Sequence, residues 1–519
     1  MSREKSDALF NLIKSLSQSE KRYFKLYMSK NGGDETKTIK LFDGIAKQTD
    51  FDDGVLLRKI PELKPSQLSN LKAELFKHVM HSLRLYNSNK IVDLEIRQQI
   101  DFAQLLIDRC LYKEGAETLR KAKKQAIKHD SLELLLVISK LEKSVLAYTI
   151  DDNNQKRVTA IVAEVDAINS RINIVNQLSN LEAKLNSLYK KVGFIRDERD
   201  HMAIRNYFRK NLPKYEDDKL SSIERIHLHN VYIGYFLFIQ DFENAYGEAT
   251  DLVRLFDSQP SLKQSRTEQF IQALNSLLIA QYKLFRFYEF VETTQRLNAL
   301  QSTSSIRLNE SMKAKLFKYY YMHEINRYFM LGDFEGGVKL ISQIEMGLQD
   351  FIDRLDKHST IIFYYKFASL YFGIGDYSSA VYWLNKIINT PNISIRQDIH
   401  SFARIMHLVA QYEMENYDVL DYYVRSTYRF LAKRYDLRLY HKYILNFLRN
   451  LSTPNEMTLR RGFAKLREQL LPLMEMPYER RYFVYFDIIS WLESKIQARP
   501  VQQVIQEKAL QKIAVQSVL

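Results

Sequence analysis

Apolar residues recur three and four positions apart along almost the whole chain, as in Leu132, Leu135, Leu136 and Leu146, or Ile361, Tyr364, Tyr365, Ala368 and Tyr371. That spacing marks one face of an α-helix, and no sustained two-residue alternation signals a strand. The pattern therefore predicts an all-α protein with helical content about twice the ~30–35% of an average globular chain. Composition points the same way, because 15 Gly and 9 Pro in 519 residues leave few turn-formers for an all-β fold. With 46% hydrophobic and 27% charged residues the chain can build cores, and its length favours several domains or an extended repeat array.

The helical pattern repeats. From Phe363 to Pro391 the chain reads FYYKFASLYFGIGDYSSAVYWLNKIINTP: an apolar stretch with Phe367, Ala368 and Tyr371, a Gly375-Asp376 turn, an aromatic Tyr377, then Ala380, Leu384 and Ile387. The aromatic after the turn recurs as Tyr112, Phe242, Phe287, Phe334 and Tyr417, often with small residues following it, such as Gly115 and Ala122, Ala245 and Ala249, or Gly337. Steps from Phe242 through Phe287, Phe334 and Tyr377 to Tyr417 are 45, 47, 43 and 40 residues. The 305 residues from Tyr112 to Tyr417 hold seven steps of about 44, which predicts further, weaker units near Arg157 and His201.

The unit from Phe363 to Pro391 resembles a tetratricopeptide repeat, with Tyr364 at the consensus tryptophan position and Pro391 near the repeat-ending proline. A period near 44 exceeds the about 34 residues of that repeat, so residues 91–440 resemble a divergent member of the superfamily. The resemblance implies a right-handed superhelical solenoid of antiparallel helix pairs, with Ala380 facing Ala368 where two helices cross. It implies a concave groove built from the first helices of successive pairs, lined by His227, Asn230, Tyr282, Lys283, Tyr319, Asn326, Tyr365 and Tyr412. In such a groove a non-enzymatic scaffold or adaptor would hold a protein or peptide partner. Residues 1–90 read as a separate N-terminal helical module, with a capping box at Ser17 and Glu20, a Gly32-Gly33 break and a long helix from about Gln67 to Tyr86. Residues 441–519, punctuated by Pro454, Pro472, Pro477 and Pro500, read as C-terminal capping helices.

A net charge of +14 admits an acidic partner, and Lys21, Arg22, Lys25, Lys72 and Lys77 define the alternative: a nucleic-acid-associated regulator with a basic N-terminal module and a repeat sensor domain. The clusters Arg120 to Lys128 and Arg425 to Arg438 read as solvated helix faces. Gly373-Ile374-Gly375 and Gly332 to Lys339 follow helices rather than strands, so neither is a phosphate loop. The pairs His78/His81 and His400/His407, and His323-Glu324, lack the further ligands of a metal site. Asp151-Asp152, Asp197 to Asp200 and Glu216 to Asp218 read as solvated linkers. Cys110 reads as a small core hydrophobe, and one cysteine suits a reducing compartment, the cytoplasm. The longest apolar run, Val231 to Ile239, is about half of the ~20 residues a spanning helix needs, so no membrane insertion is expected. The sequence thus nominates no catalytic residue, cofactor or metal.

Overall fold

The computed structural model describes residues 8–30, 35–61, 64–88, 91–146, 148, 154–192, 195, 197–303, 306, 308–351, 356–390, 396–434, 436–450, 456–476 and 478–516. The Gly32-Gly33 break, Asp151-Asp152, Pro391, Pro454 and Pro477 lie outside them. The structure is all-α and 85% helical, with no strand among the described residues. Among these residues no helix is long and apolar enough to cross a membrane. The chain divides into two compact units, Met1–Asn173 and Ile174–Leu519.

In the first unit, α1 (Ala8–Ser15), α2 (Gln18–Lys30), α3 (Glu35–Lys47), α4 (Asp53–Lys59) and α5 (Pro65–Asn87) enclose Leu9, Phe24, Phe42 and Leu75. The expected capping box starts α2: Ser17 N donates to the Glu20 carboxylate at 2.8 Å, and Glu20 N donates to Ser17 Oγ at 3.3 Å. A second core, around Ile96, Leu119, Ala122 and Ile138, joins α6 (Val92–Ile107), α7 (Tyr112–Lys128) and α8 (Leu132–Leu146).

The expected units near Arg157 and His201 are absent. Arg157 lies inside α9 (Asn154–Val192), one helix of 39 residues that contains neither Gly nor Pro to break it. His201 lies in α10 (Glu198–Asn211), whose N-terminus is capped by the Asp197 carboxylate accepting from Asp200 N at 3.0 Å. The linker reading of Asp197 to Asp200 therefore becomes a helix start.

The second unit continues with antiparallel neighbours α11 (Ser222–Ile239) and α12 (Phe242–Ser258), the short α13 (Pro260–Ser265), then α14 (Thr267–Lys283) with α15 (Phe287–Ala299), α16 (Glu310–Leu331) with α17 (Phe334–Phe351), α18 (Lys357–Ile374) with α19 (Tyr377–Ile388), and α20 (Gln397–Glu413) with α21 (Tyr417–Lys433). Each aromatic marker of the sequence is the first residue of a second helix. Two residues before every marker the backbone turns left-handed, at Cys110 (φ 63), Gln240 (64), Phe285 (57), Gly332 (68), Gly375 (83) and Glu415 (58). The residue between them closes the preceding helix with a six-to-one hydrogen bond: Leu111 N to Leu106 O, Asp241 N to Phe236 O, Arg286 N to Gln281 O, Asp333 N to Tyr328 O, Asp376 N to Tyr371 O and Asn416 N to Gln411 O, all at 2.8–3.1 Å. This is one Schellman turn used six times. Four of the six left-handed positions carry a side chain, a conformation that costs roughly 1–2 kcal/mol. Cys110, expected in a core, is instead exposed on the first of these turns.

The remaining helices are α22 (Leu439–Arg449), α23 (Glu456–Leu470), α24 (Arg481–Tyr485), α25 (Ile488–Gln497) and α26 (Val501–Gln516). Rather than only following the last pair, α26 folds back against α16 and α18. The Gln516 amide donates to Phe285 O and accepts from Phe287 N at 3.0 Å, capping the α14–α15 turn. At the next turn a Cβ on Gly332 would lie 2.6 Å from Gln506 Cα, so only glycine fits there.

Candidate functional site

First helices of successive pairs contact one another, α14 with α16, α16 with α18 and α18 with α20, so one face of each looks to a common side. On α18 that side is marked by charge: between Ser359 and Ile374, Lys366 is the one ionisable cation in an otherwise apolar helix. The C-terminal segment covers this side. Tyr485 is seated in it: Tyr365 Oη donates to the Tyr485 carbonyl at 3.1 Å, and the Tyr485 ring stacks on Phe402 at 4.1 Å. Arg396 Nη2 donates to the Tyr485 hydroxyl at 3.0 Å, which donates to Asp398 Oδ2 at 3.0 Å. Arg396 and Asp398 form a buried bidentate pair with contacts of 2.9 and 2.7 Å. Burial pushes the Asp398 carboxyl up, and Arg396 outweighs it, leaving the carboxyl below its ordinary range.

Two adjoining cavities flank this seat, sharing Tyr189, Asn275, Ile279, Lys283 and Tyr485. The first, of 380 Å³, has walls from Met322, Phe329, Ile362 and Phe372 and receives Lys283 and Lys366. Burial, reinforced by Arg396 and opposed by Asp398, lowers the Lys283 ammonium to about 8. Burial and the Lys283 charge lower Lys366 to about 7. Lys366 Nζ donates to Asn326 Oδ1, Asn326 Nδ2 lies 3.3 Å from His323 Nδ1, and His323 Nε2 lies 3.0 Å from Asn275 Oδ1. The donors agree in direction only if His323 is neutral and carries its proton on Nε2. Burial and Lys366 lower its pKa to about 3, in keeping with that assignment.

The second cavity, of 450 Å³, gathers side-chain amides. Asn186 from α9, Asn230 from α11, Gln272, Asn275 and Ser276 from α14 and Tyr319 from α16 converge on it.

Of the residues the resemblance nominated, Tyr282, Lys283, Asn326 and Tyr365 line the first cavity, and Asn230, Lys283 and Tyr319 the second. Tyr365 is 6% exposed, with its hydroxyl on the C-terminal segment. His227 and Tyr412 line neither. His227 Nδ1 lies 4.0 Å from Glu182, and Tyr412 packs edge-on against Trp491 and Phe463. No protein-family model, curated protein or solved structure matches this chain.

Sequence reading passed over Lys366, Arg396, Asp398 and Tyr485. An isolated cation within an apolar helix was a usable signal for Lys366. Nothing local marks Tyr485, which meets Tyr365 across 120 residues of chain. In the N-terminal module, Lys25 pairs with Asp43 and Lys72 with Asp53, each at 2.7 Å. Among the described residues no group of three or more His, Cys, Asp or Glu could hold a metal ion.

Proposed function

We propose that this chain is a non-enzymatic binding scaffold, a divergent tetratricopeptide-like right-handed superhelical solenoid that takes up a protein or peptide segment on its inner surface. The observation that carries this reading is the convergence of Asn186, Asn230, Gln272, Asn275 and Tyr319, from four helices, on one cavity. A side-chain amide both donates and accepts, so a row of amides matches the N–H and C=O groups of an extended main chain whatever its side chains. Tyr319 adds contact area with two rotatable angles to fix, which suits an anchor.

The seat of Tyr485 supports the reading from within the molecule, since the same helices already hold a segment of chain through its carbonyl and its ring. A segment entering from outside would meet the amide cavity, because the neighbouring surface is filled by Tyr485. The nucleic-acid reading has weaker support, as two of the five basic side chains it invokes are ion-paired. A single cysteine keeps the cytoplasm as the proposed location.

Panning a random peptide library on the immobilised full chain tests the proposal. Enriched peptides that bind the Asn230→Ala/Gln272→Ala variant about tenfold more weakly, at unchanged melting temperature, support it. Failure to enrich any peptide over an unrelated helical protein, or equal affinity for the variant, sinks it.

A further inference from the structure

The 380 Å³ cavity holds a buried lysine, Lys366, whose hydrogen-bond and ring partners are all neutral. Phe329, Ile362 and Phe372 give it an apolar wall, and Lys366 enters it with the neutral amide of Asn326 as its hydrogen-bond partner and its Nζ 5.2 Å from the Phe329 ring centre and 5.9 Å from that of Tyr282. That amide passes its other end to neutral His323, so the Lys366–Asn326–His323–Asn275 chain contributes no negative charge. Arg396 is matched by Asp398 in a bidentate pair. Asp487, the carboxylate on the cavity wall, is engaged as the cap of α25, accepting from Ser490 N at 3.0 Å and Ser490 Oγ at 2.6 Å. Lys283, on the wall shared with the amide cavity, adds a second cation of the same sign.

An ammonium in apolar surroundings is unfavourable until an opposite charge reaches it. The lowered pKa of Lys366 expresses that cost. A neutral molecule would leave that cost in place. The volume falls in the range of about 300–1,000 Å³ typical of small-molecule sites.

We propose that this cavity binds a small molecule with one anionic head on an apolar body, the head between Lys283 and Lys366 and the body against Phe329, Ile362 and Phe372. Lys283 lines both cavities, but Lys366 and the wall of Phe329, Ile362 and Phe372 do not line the amide cavity that carries the functional reading, so either can fail without the other.

Calorimetric titration of the full chain with decanoate, decyl phosphate, 1-decanol and decylamine tests this. The expected result is that at least one anion binds about tenfold or more tightly than decanol, that decylamine gives no binding, and that the better anion identifies the head group. Lys366→Met should weaken that anion by about tenfold or more. Ser369→Phe, which fills the cavity with both lysines retained, should abolish binding and covers the case in which Lys366→Met does not fold. Decanol binding as tightly as both anions, no anion binding at about 1 mM, or undiminished binding by Ser369→Phe would each overturn the proposal.

Discussion

The two cavities share five wall residues, Lys283 among them, yet one sets Lys366 against Phe329, Ile362 and Phe372 and the other gathers side-chain amides. The difference comes from what the C-terminal segment does to each. Around Lys366, residues 483–487 together with Val501 and Ile505 of α26 form part of the wall, and a buried polar group there carries a penalty unless it finds a partner. Around Asn230 that cover is missing apart from Tyr485, and Asn186 and Lys190 on the wall remain exposed. The first helices of successive pairs therefore line two kinds of site, according to which of their turns residues 483–487 and α26 reach.

Removing the boundary between them is the most damaging change. Arg396→Met leaves the buried Asp398 carboxylate unpaired and unseats Tyr485, and is expected to cost about 3–5 kcal/mol in denaturant unfolding. A loss under about 1 kcal/mol would mean that the Tyr485 seat does not separate the cavities.

Lys366, which lines only the first cavity, gives that cavity a pH signature of its own. Lys366 titrates at about 7 in the folded chain against 10.5 for the free side chain. A folded pKa below the unfolded one means that the unfolded state holds more protons between those values, so stability rises with pH from about 7 to 10.5. Below pH 7 the deficit is complete. Lys366→Met should reduce that rise by on the order of 5 kcal/mol, Lys283 supplying the remainder, while Asn230→Ala should leave it unchanged. An unchanged slope in Lys366→Met would show that the lysine is solvated.

Scaffold changes should act on stability. Ala368 and Ala380 are fully buried in the α18–α19 pair, and Ala380→Leu is expected to cost about 1–3 kcal/mol by overpacking. At a turn remote from either cavity, Glu415→Gly removes a side chain from a left-handed position and should stabilise by about 0.5–1 kcal/mol. Denaturant midpoints check both, and a destabilising Glu415→Gly would deny that the turn is strained.

The aromatic markers were legible because each turn is local: a left-handed residue, its six-to-one bond and the aromatic that opens the next helix span only a few positions. Spacing alone overreached at Arg157, where an uninterrupted helix-forming run of 39 residues replaced the expected turn. It also misjudged Cys110, since an apolar helix pattern does not reveal which residue must turn left-handed at the helix end.

By itself the sequence determined the helices, their pairing in hairpins and six of the residues that line the inner cavities. Helical periodicity and turn chemistry act over a few residues, so neighbours in sequence suffice to set them. Only the tertiary structure decided that Tyr365 is covered, that Arg396 and Asp398 seat a tyrosine from the far end of the chain, and that Lys283 and Lys366 share a cavity. Those outcomes depend on where α26 and residues 483–487 settle, and burial, which turns an ordinary lysine into a perturbed one, is a property of the packed chain rather than of any stretch of it.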